Sequence, residues 1–385
     1  MNFDLSEEQS LLNDSVSGFL KARYGFEARK AVVASEAGWS PEIWQALAEE
    51  LGVVGVMAPE AVGGLDGGPV EAMVLMEAMG RALVVEPFLE TALTSVSLLK
   101  RAGGARADAL LEQIVAGTAI VAFAHQEAKG RHELLSVATT ATPAKDEGGD
   151  GWKLTGAKAV VSAAPWATHL IVSARTSGTD RRDPAGLSLF LIEIAEAGAG
   201  LSVRGYPTID ERHAAEIDLE GLTLPSDALL GQVNEAHDAL IAPVMDEAVA
   251  ALCAEAVGVL RELHARTVDY AKQRKQFGRA IGEFQVLQHR LVDMFIAVEQ
   301  AVSLTLMATL KLDAPASERA RAVSAAKVGV SKALKFVSQN AVQTHGGIGM
   351  TDELALSHYF RRATAIELQL GSPQAHLKRF ISLAA

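Results

Sequence analysis

The segment Arg-Lys-Gln-Phe-Gly in the C-terminal part of the chain joins a cation to an aromatic ring. It begins at Arg274, contains Phe277, and leads on to Gln285. The guanidinium of Arg274 is a planar fork that matches phosphate oxygens, and Phe277 offers a flat apolar surface to another ring. These residue types could hold a ligand that carries both a phosphate and an aromatic ring. Taken alone, such a segment more often supplies a solvated cation and a core aromatic.

The segment Gln-Thr-His-Gly-Gly offers a second set of ligand-binding groups. It begins at Gln343, which can both donate and accept hydrogen bonds. Gly346 and Gly347 place no side chain between the backbone amides and a ligand, so the backbone can approach a phosphate closely. A glycine pair after a long helix is also the usual form of a C-cap. Only the joint order and spacing of the two segments favour a ligand site.

Three successive patterns of apolar residues would have to position these segments. Helical periodicity runs through residues 1–117, short alternating runs bounded by Gly, Pro, Asp or Thr fill 118–232, and long helical periodicity returns in 233–385. We therefore predict a mostly α protein with a β-domain insert. Its parts would be an N-terminal helical domain, a middle β-barrel or sandwich, and a C-terminal four-helix bundle.

Local signals define several of these elements. Ser6 and Gln9 have the spacing of a capping box, and Ser40 followed by Pro41 is typical of a helix start. A longer apolar stretch from Val70 to about Leu83 predicts another helix. Five short runs predict strands: 120–124, 152–155, 169–173, 187–192 and 215–219. Residues 146–151 fit a hairpin loop, and apolar residues from Phe284 to Val298 recur on one helix face.

Composition excludes several classes of function. The chain of 385 residues has a formal net charge of −12 and one cysteine, Cys253. The acidic balance argues against a nucleic-acid partner. One cysteine excludes an internal disulfide and a cysteine-based zinc site, and it fits a reducing cytosol. The N-terminus lacks the basic region of a signal peptide, and no uninterrupted apolar run approaches the ~20 residues of a membrane span. We expect a cytoplasmic protein with no membrane partner and no metal.

The motifs together resemble the acyl-CoA dehydrogenase superfamily. The resemblance covers essentially the whole chain, and the N-terminal half is similar to the small subunits of pimeloyl-CoA dehydrogenases and, more loosely, of steroid-side-chain dehydrogenases. It implies FAD as cofactor, an acyl-CoA thioester as substrate, α,β-desaturation as the reaction, and electron-transfer flavoprotein as electron acceptor. It also assigns FAD contacts to six residues: Arg274, Phe277, Gln285, Gln343, Gly346 and Gly347.

The family's catalytic base is missing from its usual place. The resemblance implies that a Glu abstracts the α-proton, but the corresponding position is Leu370, which cannot accept a proton. A second family position aligns with Ala248. Glu247 lies beside it, turned by about 100° on the helix, and with Asp246 it is expected at the surface. Glu255 lies among small apolar residues, where a carboxyl would be buried with a raised pKa. Glu247 and Glu255 remain the candidate bases.

The middle domain also departs from the family pattern. In place of Thr-Glu-Pro-Gly-x-Gly-Ser the chain has His-Gln-Glu-Ala-Lys-Gly-Arg, beginning at His125, and only Glu127 is retained. Trp-Ile-Thr becomes Val-Val-Ser, beginning at Val160, so the aromatic ring that flanks the flavin is lost. In the family, the C-terminal segments of one subunit complete the flavin site of its neighbour. The chain therefore retains the half of the site that it would donate, and has lost much of the half that would be its own.

The main hypothesis is a non-catalytic small subunit that completes the flavin site of a larger homologous partner in a heterotetramer. One alternative is a self-sufficient homotetramer with a relocated carboxylate base. Others are an acyl-CoA oxidase or nitroalkane oxidase-like enzyme, or a structural protein without flavin. The substrate would be a dicarboxylyl-CoA or a medium-to-long acyl-CoA. Arg131, Arg204 and Arg212 could each bind a terminal carboxylate, or could simply be surface cations.

Overall fold

Helices occupy both ends of the chain and strands its middle, which confirms the predicted fold class. The computed structural model describes residues 4–130, 132–144, 151–178 and 180–383. The α-helices in chain order are α1 (Glu7–Arg23), α2 (Phe26–Ala34), α3 (Pro41–Glu49), α4 (Pro69–Ala82), α5 (Val96–Ala102), α6 (Ala105–Val115), α7 (Ala242–Gln273), α8 (Gln285–Leu310), α9 (Ala316–His345), α10 (Ala355–Leu368) and α11 (Pro373–Ser382). Stretches of π-helix, Phe88–Ser95 and His237–Ile241, precede α5 and α7.

Side-chain caps begin the helices where the sequence predicts them. The Ser6 hydroxyl accepts a hydrogen bond from the backbone N–H of Gln9, and the Gln9 side chain accepts one from the Ser6 N–H. Ser40 caps α3 in the same way, with Pro41 at the first helical position. These bonds satisfy N–H groups that no helix can pair internally.

One mixed sheet of eight strands forms the middle of the chain. Its strands are β1 (Val121–Ala124), β2 (Thr140–Pro143), β3 (Gly151–Ser162), β4 (His169–Arg175), β5 (Leu187–Glu193), β6 (Leu201–Pro207), β7 (His213–Pro225) and β8 (Leu229–Leu230). Their order is β6-β7-β3-β2-β4-β5-β8, and β1 pairs with β4 in parallel. Apolar side chains of these strands, such as Leu154, Phe190 and Ile217, form its buried core.

Three strands of this sheet were not among the predicted ones. These are β2, β6 and β8, which are four, seven and two residues long. The predicted hairpin loop at 146–151 lies outside the described residues except for Gly151. β2 and β3 do pair antiparallel, with Pro143 opposite Trp152.

The chain divides into two compact units. The first comprises Met1–Ala34, Pro69–Val84 and Val249–Ala385, and the second comprises Ser35–Gly68 and Val85–Ala248. The first unit contains the segments that begin at Arg274 and Gln343, and the second contains the segment that begins at His125. The domain boundaries after residues 117 and 232 stay a prediction.

The helix α8 is unusually apolar for its exposure. By length and composition it could cross a membrane, with a mean hydropathy of 1.6 over its most apolar window, of which 28% is buried. A single helix of this kind is weak evidence for a membrane span. It packs against α9 with Met294 and Val298 buried, whereas Phe295, predicted on the same face, is half exposed.

Candidate functional site

A two-residue hairpin presents Phe277 to solvent. The strands β9 (Lys275–Gln276) and β10 (Arg279–Ala280) pair antiparallel, and Phe277 and Gly278 form the turn with φ angles of 55° and 81°. Positive φ at both turn residues favours Asn or Gly, so a phenylalanine there is strained. Phe277 is 92% exposed. Its ring lies edge-on to that of Phe284, with the two ring centroids 6.2 Å apart. A strained and exposed aromatic ring is suited to contact a molecule outside this chain.

Stacking of Tyr270 on His345 joins the two predicted ligand segments. The ring centroids are 4.2 Å apart, and the Tyr270 hydroxyl donates to the His345 carbonyl at 3.3 Å. Arg274 lies one helical turn after Tyr270, and its N–H donates to the Tyr270 carbonyl at 2.8 Å. Gly346 follows His345 directly. The ends of α7 and α9 therefore hold both segments at one side of the first unit.

The imidazole of His345 is held inside this junction. Its Nδ1 donates to the Ala341 carbonyl at 2.8 Å, which fixes the tautomer with the proton on that nitrogen. Burial lowers the pKa of His345. The side chain therefore supports the junction as a neutral ring rather than as a cation for a phosphate.

The glycine pair combines a helix cap with an open backbone. Gly346 ends α9 with φ 67°, and its N–H donates to the Val342 carbonyl. A Cβ built on Gly346 or Gly347 would meet no atom of this chain within 4 Å. Arg274, Gln285 and Gln343 are exposed. The chain thus leaves space around all six predicted residues for a ligand with a phosphate and a ring, and these residues fit such a ligand.

The backbone has positive φ angles at Leu370, the position of the missing base, and at the next residue. Leu370 has φ 56° and Gly371 has φ 114°, directly after the end of α10. The Leu370 carbonyl lies 2.9 Å from Nε2 of His376. A Cβ on Gly371 would lie 2.5 Å from the same nitrogen. The turn is tightly packed, but the side chain that it carries has no proton-accepting group.

The two candidate carboxylates are both held by arginines. Glu255 is fully buried, and both of its oxygens accept hydrogen bonds of 2.7 Å from Arg362. Glu247 accepts hydrogen bonds from Ser97 and Arg101. In the second unit, Asp246 is 1% exposed, so the prediction that it lies on the surface is wrong. Its helix begins inside the second unit, where this face is packed rather than solvated.

A buried polar cluster replaces part of the lost middle-domain motif. The Nζ of Lys158 donates to Glu127 at 2.9 Å and to Ser173 at 3.2 Å, and His125 Nδ1 lies 2.9 Å from the Ser173 hydroxyl. Glu127 also accepts from the N–H and hydroxyl of Thr139. The retained Glu127 therefore ties the segment before β2 to β3 and is not available to a ligand.

Burial has the largest effect on the pKa values of His125 and Lys158 in this cluster. It lowers the pKa of His125 to about 3, with the charge of Lys158 acting in the same direction. Burial also lowers the pKa of Lys158 to about 8, against the opposing effect of Glu127. Burial alone would raise the pKa of Glu127, but Lys158 and the hydrogen bonds from Thr139 lower it. Lys158 was not among the predicted site residues. It lies four positions after Leu154 along β3, and both side chains are buried.

Val160 lies in a β-bulge and does not replace the lost aromatic. The register between β3 and β7 shifts between Lys158 and Val161. Val160 has φ 53°, which is rare for a β-branched residue, and its side chain is half exposed. Its N–H donates to Glu216 at 3.2 Å, and the Tyr206 hydroxyl donates to the same oxygen at 2.9 Å. Burial and Glu216 raise the pKa of Tyr206 to about 12, so its hydroxyl keeps its proton.

Of the three arginines suggested for a terminal carboxylate, two lie in the described part of the chain. Arg204 forms an exposed ion pair with Asp218 on the neighbouring strand. Arg212 is half-buried at the start of β7, and Arg131 lies outside the described residues. The substrate's far end is therefore not assigned to any of the three.

Comparison with protein families accounts for nearly the whole chain. Residues 6–118 match the acyl-CoA dehydrogenase N-terminal domain, residues 122–221 the middle domain, and residues 241–381 the C-terminal domain. Among similar curated proteins, FadE12 of Mycobacterium tuberculosis is an acyl-CoA dehydrogenase 30% identical over 92% of this chain and 90% of its own. IpdE2 of Mycolicibacterium smegmatis, also named an acyl-CoA dehydrogenase, is 28% identical over 97% and 98%.

Similar solved structures include proteins with two named chains. A variant of the Tcur3481–Tcur3483 steroid ACAD is 30% identical with a TM-score of 0.86, covering 98% of each chain. The ChsE4–ChsE5 complex from Mycobacterium tuberculosis is 25% identical with a TM-score of 0.86, covering 99% and 98%. The FAD complex of PigA is 25% identical with a TM-score of 0.88, covering all of both chains.

Proposed function

Because this chain belongs to the acyl-CoA dehydrogenase family, we propose that it is the small, non-catalytic partner of a heteromeric enzyme that desaturates an acyl-CoA thioester. The family consists of oxidoreductases, and the similarity of this chain to the FAD complex of PigA supports FAD, the predicted cofactor. The proposal concerns which half of the flavin site it supplies.

The observation that carries the proposal is the state of Phe277. Its ring is 92% exposed at the tip of a strained hairpin, beside exposed Arg274. A chain gains nothing for its own stability from this conformation, since the turn costs roughly 1–2 kcal/mol relative to a favoured one and buries almost no apolar surface. Contact with a ligand held largely by a neighbouring subunit would explain both the strain and the exposure.

Six residues of this chain would hold the adenine dinucleotide end of FAD in that arrangement. Arg274 would pair with the pyrophosphate, Phe277 would lie against the adenine, and the amides of Gly346 and Gly347 would approach phosphate oxygens. Gln285 and Gln343 would orient the ligand by hydrogen bonds. When bound, FAD accepts a hydride from the β-carbon of the acyl group.

Among the described residues, neither Leu370 nor the candidate bases would supply the proton transfer. Ser97 and Arg101 both donate to Glu247. Leu370 has no basic atom, and both oxygens of Glu255 are already bonded to Arg362. The thioester pocket and the base would come from a larger homologous chain. The two-chain names of the steroid ACAD and the ChsE4–ChsE5 complex support such a pairing.

Apolar residues exposed along α8 support an interface with that partner. They are Val286, Val292, Phe295, Ile296, Met307 and Leu310, each between 37% and 67% exposed. Burying them against another subunit would remove apolar surface from water, at about 25 cal/mol per Å². The expected assembly is a tetramer of two chain types, with electron-transfer flavoprotein as acceptor. Dicarboxylyl-CoAs, medium- to long-chain acyl-CoAs and steroid-side-chain acyl-CoAs are the substrate classes to test.

Absorbance spectroscopy of the chain alone and with a co-expressed larger homologue tests the proposal. We expect little flavin in the lone chain, and a flavin band that bleaches with acyl-CoA under anaerobic conditions only in the complex. Arg274→Gln should lower the flavin content of the complex by about tenfold. Lys335→Gln removes the same charge from another exposed position and should leave it unchanged.

Two results would overturn the proposal. Bleaching of the lone chain at the rate of the complex would favour the self-sufficient homotetramer. Full flavin content in the Arg274→Gln complex would mean that the exposed segment does not contribute to the flavin site.

A further inference from the structure

A second site candidate lies in the first compact unit, and its described lining differs from the six residues proposed for FAD. It is a cavity of about 340 Å³ between α1, α2, α4, α7 and α10. Cavities of this volume are large enough to enclose small ligands. We call it the basic cavity, after four side chains that line it: Lys21, Arg29, Arg81 and Arg266.

The four cations come from four different helices. Lys21 belongs to α1, Arg29 to α2, Arg81 to α4 and Arg266 to α7. Among the lining residues that the structure describes, the one carboxylate is that of Glu262. Four positive charges against one negative charge leave the lining strongly cationic, in a chain whose net charge is −12. Such a local reversal of sign attracts an anion.

The most buried of these cations is Arg29, which is 3% exposed. Its Nε donates to the Leu83 carbonyl at 2.8 Å, and its Nη1 donates to Nδ1 of His358 at 3.1 Å. A guanidinium does not lose its proton in proteins, so a full positive charge lies in the cavity wall. The two contacts fix its orientation in advance of ligand binding.

Arg81 and Arg266 are oriented by carboxylates of their own helices. Arg81 donates to Glu77 at 2.7 Å, and Arg266 donates to Glu262 at 3.1 Å. Each guanidinium has five N–H donors, so a single such bond does not use its capacity. Among the described lining residues, these two guanidinium groups stand with Lys21 and Arg29 against the single carboxylate of Glu262.

Aromatic and helix-end groups complete the lining. The rings of Tyr24, Phe26 and Tyr359 face the cavity, and Arg266 lies over the Tyr359 ring at 5.3 Å. Phe26 and Ala355 are the first residues of α2 and α10, and the first N–H groups of a helix have no partner within it. The carbonyl of Arg81, at the end of α4, already accepts from the Tyr359 hydroxyl.

We propose that the basic cavity binds a small organic phosphate, with the phosphate among the arginines and an aromatic or aliphatic body against the rings. A phosphate dianion matches the excess of cations better than a single carboxylate, and the planar guanidinium groups can bind two of its oxygens each. The rings favour a ligand with a flat or apolar portion over inorganic phosphate alone. The site is independent of the proposed subunit role.

Isothermal titration calorimetry with AMP as the probe tests the site on the full chain. We expect a dissociation constant below about 1 mM for AMP, and weaker binding of inorganic phosphate and of adenosine. The double variant Lys21→Gln with Arg266→Gln should weaken AMP binding at least about tenfold. The matched control, Lys332→Gln with Lys335→Gln, removes the same charge from exposed positions on α9 and should bind AMP as the native chain does.

Arg274→Gln separates this site from the flavin segment, because AMP could also bind there. Loss of AMP binding in Arg274→Gln, with retention in the cavity variant, would overturn the proposal. Equal weakening in the control pair would show general electrostatic attraction and would overturn it as well. Tighter binding of succinate or of inorganic phosphate than of AMP would exclude an organic phosphate as the ligand class, and so would absence of heat with every probe.

Discussion

Arg362 holds both carboxylate oxygens of Glu255, with its Nε and one Nη each at 2.7 Å, where the two side chains are 4% and 0% exposed. The two residues are 107 positions apart in sequence, on α10 and α7. This pairing explains how an ionised carboxylate can be buried among small apolar residues. It also means that Glu255 supports the packing of the two helices and is not poised to abstract a proton.

Removing one member of this pair should destabilise the chain. Glu255→Gln removes the negative charge that Glu255 places against the buried guanidinium, and we expect a loss of roughly 3–5 kcal/mol in the free energy of unfolding, measured by urea denaturation. The double variant Glu255→Leu with Arg362→Met removes both charges, and it should lie within about 1–2 kcal/mol of the native chain. In the complex, this double variant should bleach with acyl-CoA at the native rate. A folded double variant that no longer bleaches would identify Glu255 as a base.

Phe277 should increase flavin binding by the complex and lower the stability of the lone chain. Phe277→Asn places a residue that tolerates positive φ at the first turn position, so the lone chain should gain about 0.5–1 kcal/mol in urea unfolding. The same variant should retain about tenfold less flavin in the complex. Phe277→Ala removes the ring without relieving the strain, and it should therefore lose flavin without gaining stability. Unchanged flavin content in both variants would argue against an adenine contact.

Local spacing predicted much of the fold, because the relevant physics is local. The capping box at Ser6 and the helix start at Ser40 depend on residues three positions apart. The missed strands have weaker local signals. β2 contains a proline, β8 has two residues, and the alternation of β6 is interrupted by Gly205.

The candidate site likewise contains features that contiguous residues predict and features that only the tertiary fold determines. The motifs at Arg274 and Gln343 are readable from contiguous residues, and the structure places both at one end of the first unit. The pairing of Glu255 with Arg362 and of Glu127 with Lys158 depends on the tertiary fold. No spacing along the sequence reports which buried carboxylate has a guanidinium opposite to it, so the availability of a base could not be judged before the structure.

Two glycines set the distance between α4 and α7, which flank the basic cavity. A Cβ on Gly80 would lie 2.1 Å from the Glu255 carbonyl oxygen, and one on Gly258 would lie 2.2 Å from the Glu77 carbonyl oxygen. Gly80→Ala or Gly258→Ala should therefore cost about 1–3 kcal/mol by overpacking, despite the better helix propensity of alanine. Gly18→Ala is the matched control, since a Cβ there meets nothing within 4 Å. It should stabilise α1 by about 0.5–1 kcal/mol in the same thermal or urea unfolding measurement, and destabilisation equal to that of the other two would contradict the packing argument.

Deprotonation of Lys327 should raise the stability of the chain between about pH 8 and 10.5. Its side chain is buried, its Nζ donates to the Ile366 carbonyl, and burial lowers its pKa to about 8. Because the folded pKa lies below that of the unfolded chain, the unfolded state binds more protons between about pH 8 and 10.5, and stability must rise with pH in that window. We therefore expect the unfolding free energy of the native chain minus that of Lys327→Met to rise by about 1–3 kcal/mol from pH 8 to 10.5. Urea titrations at fixed ionic strength measure both values. Lys332→Met, at an exposed position on the same helix, should show no such growth. A difference that stays flat or shrinks with pH would mean that the pKa of Lys327 is not lower in the folded chain than in the unfolded chain.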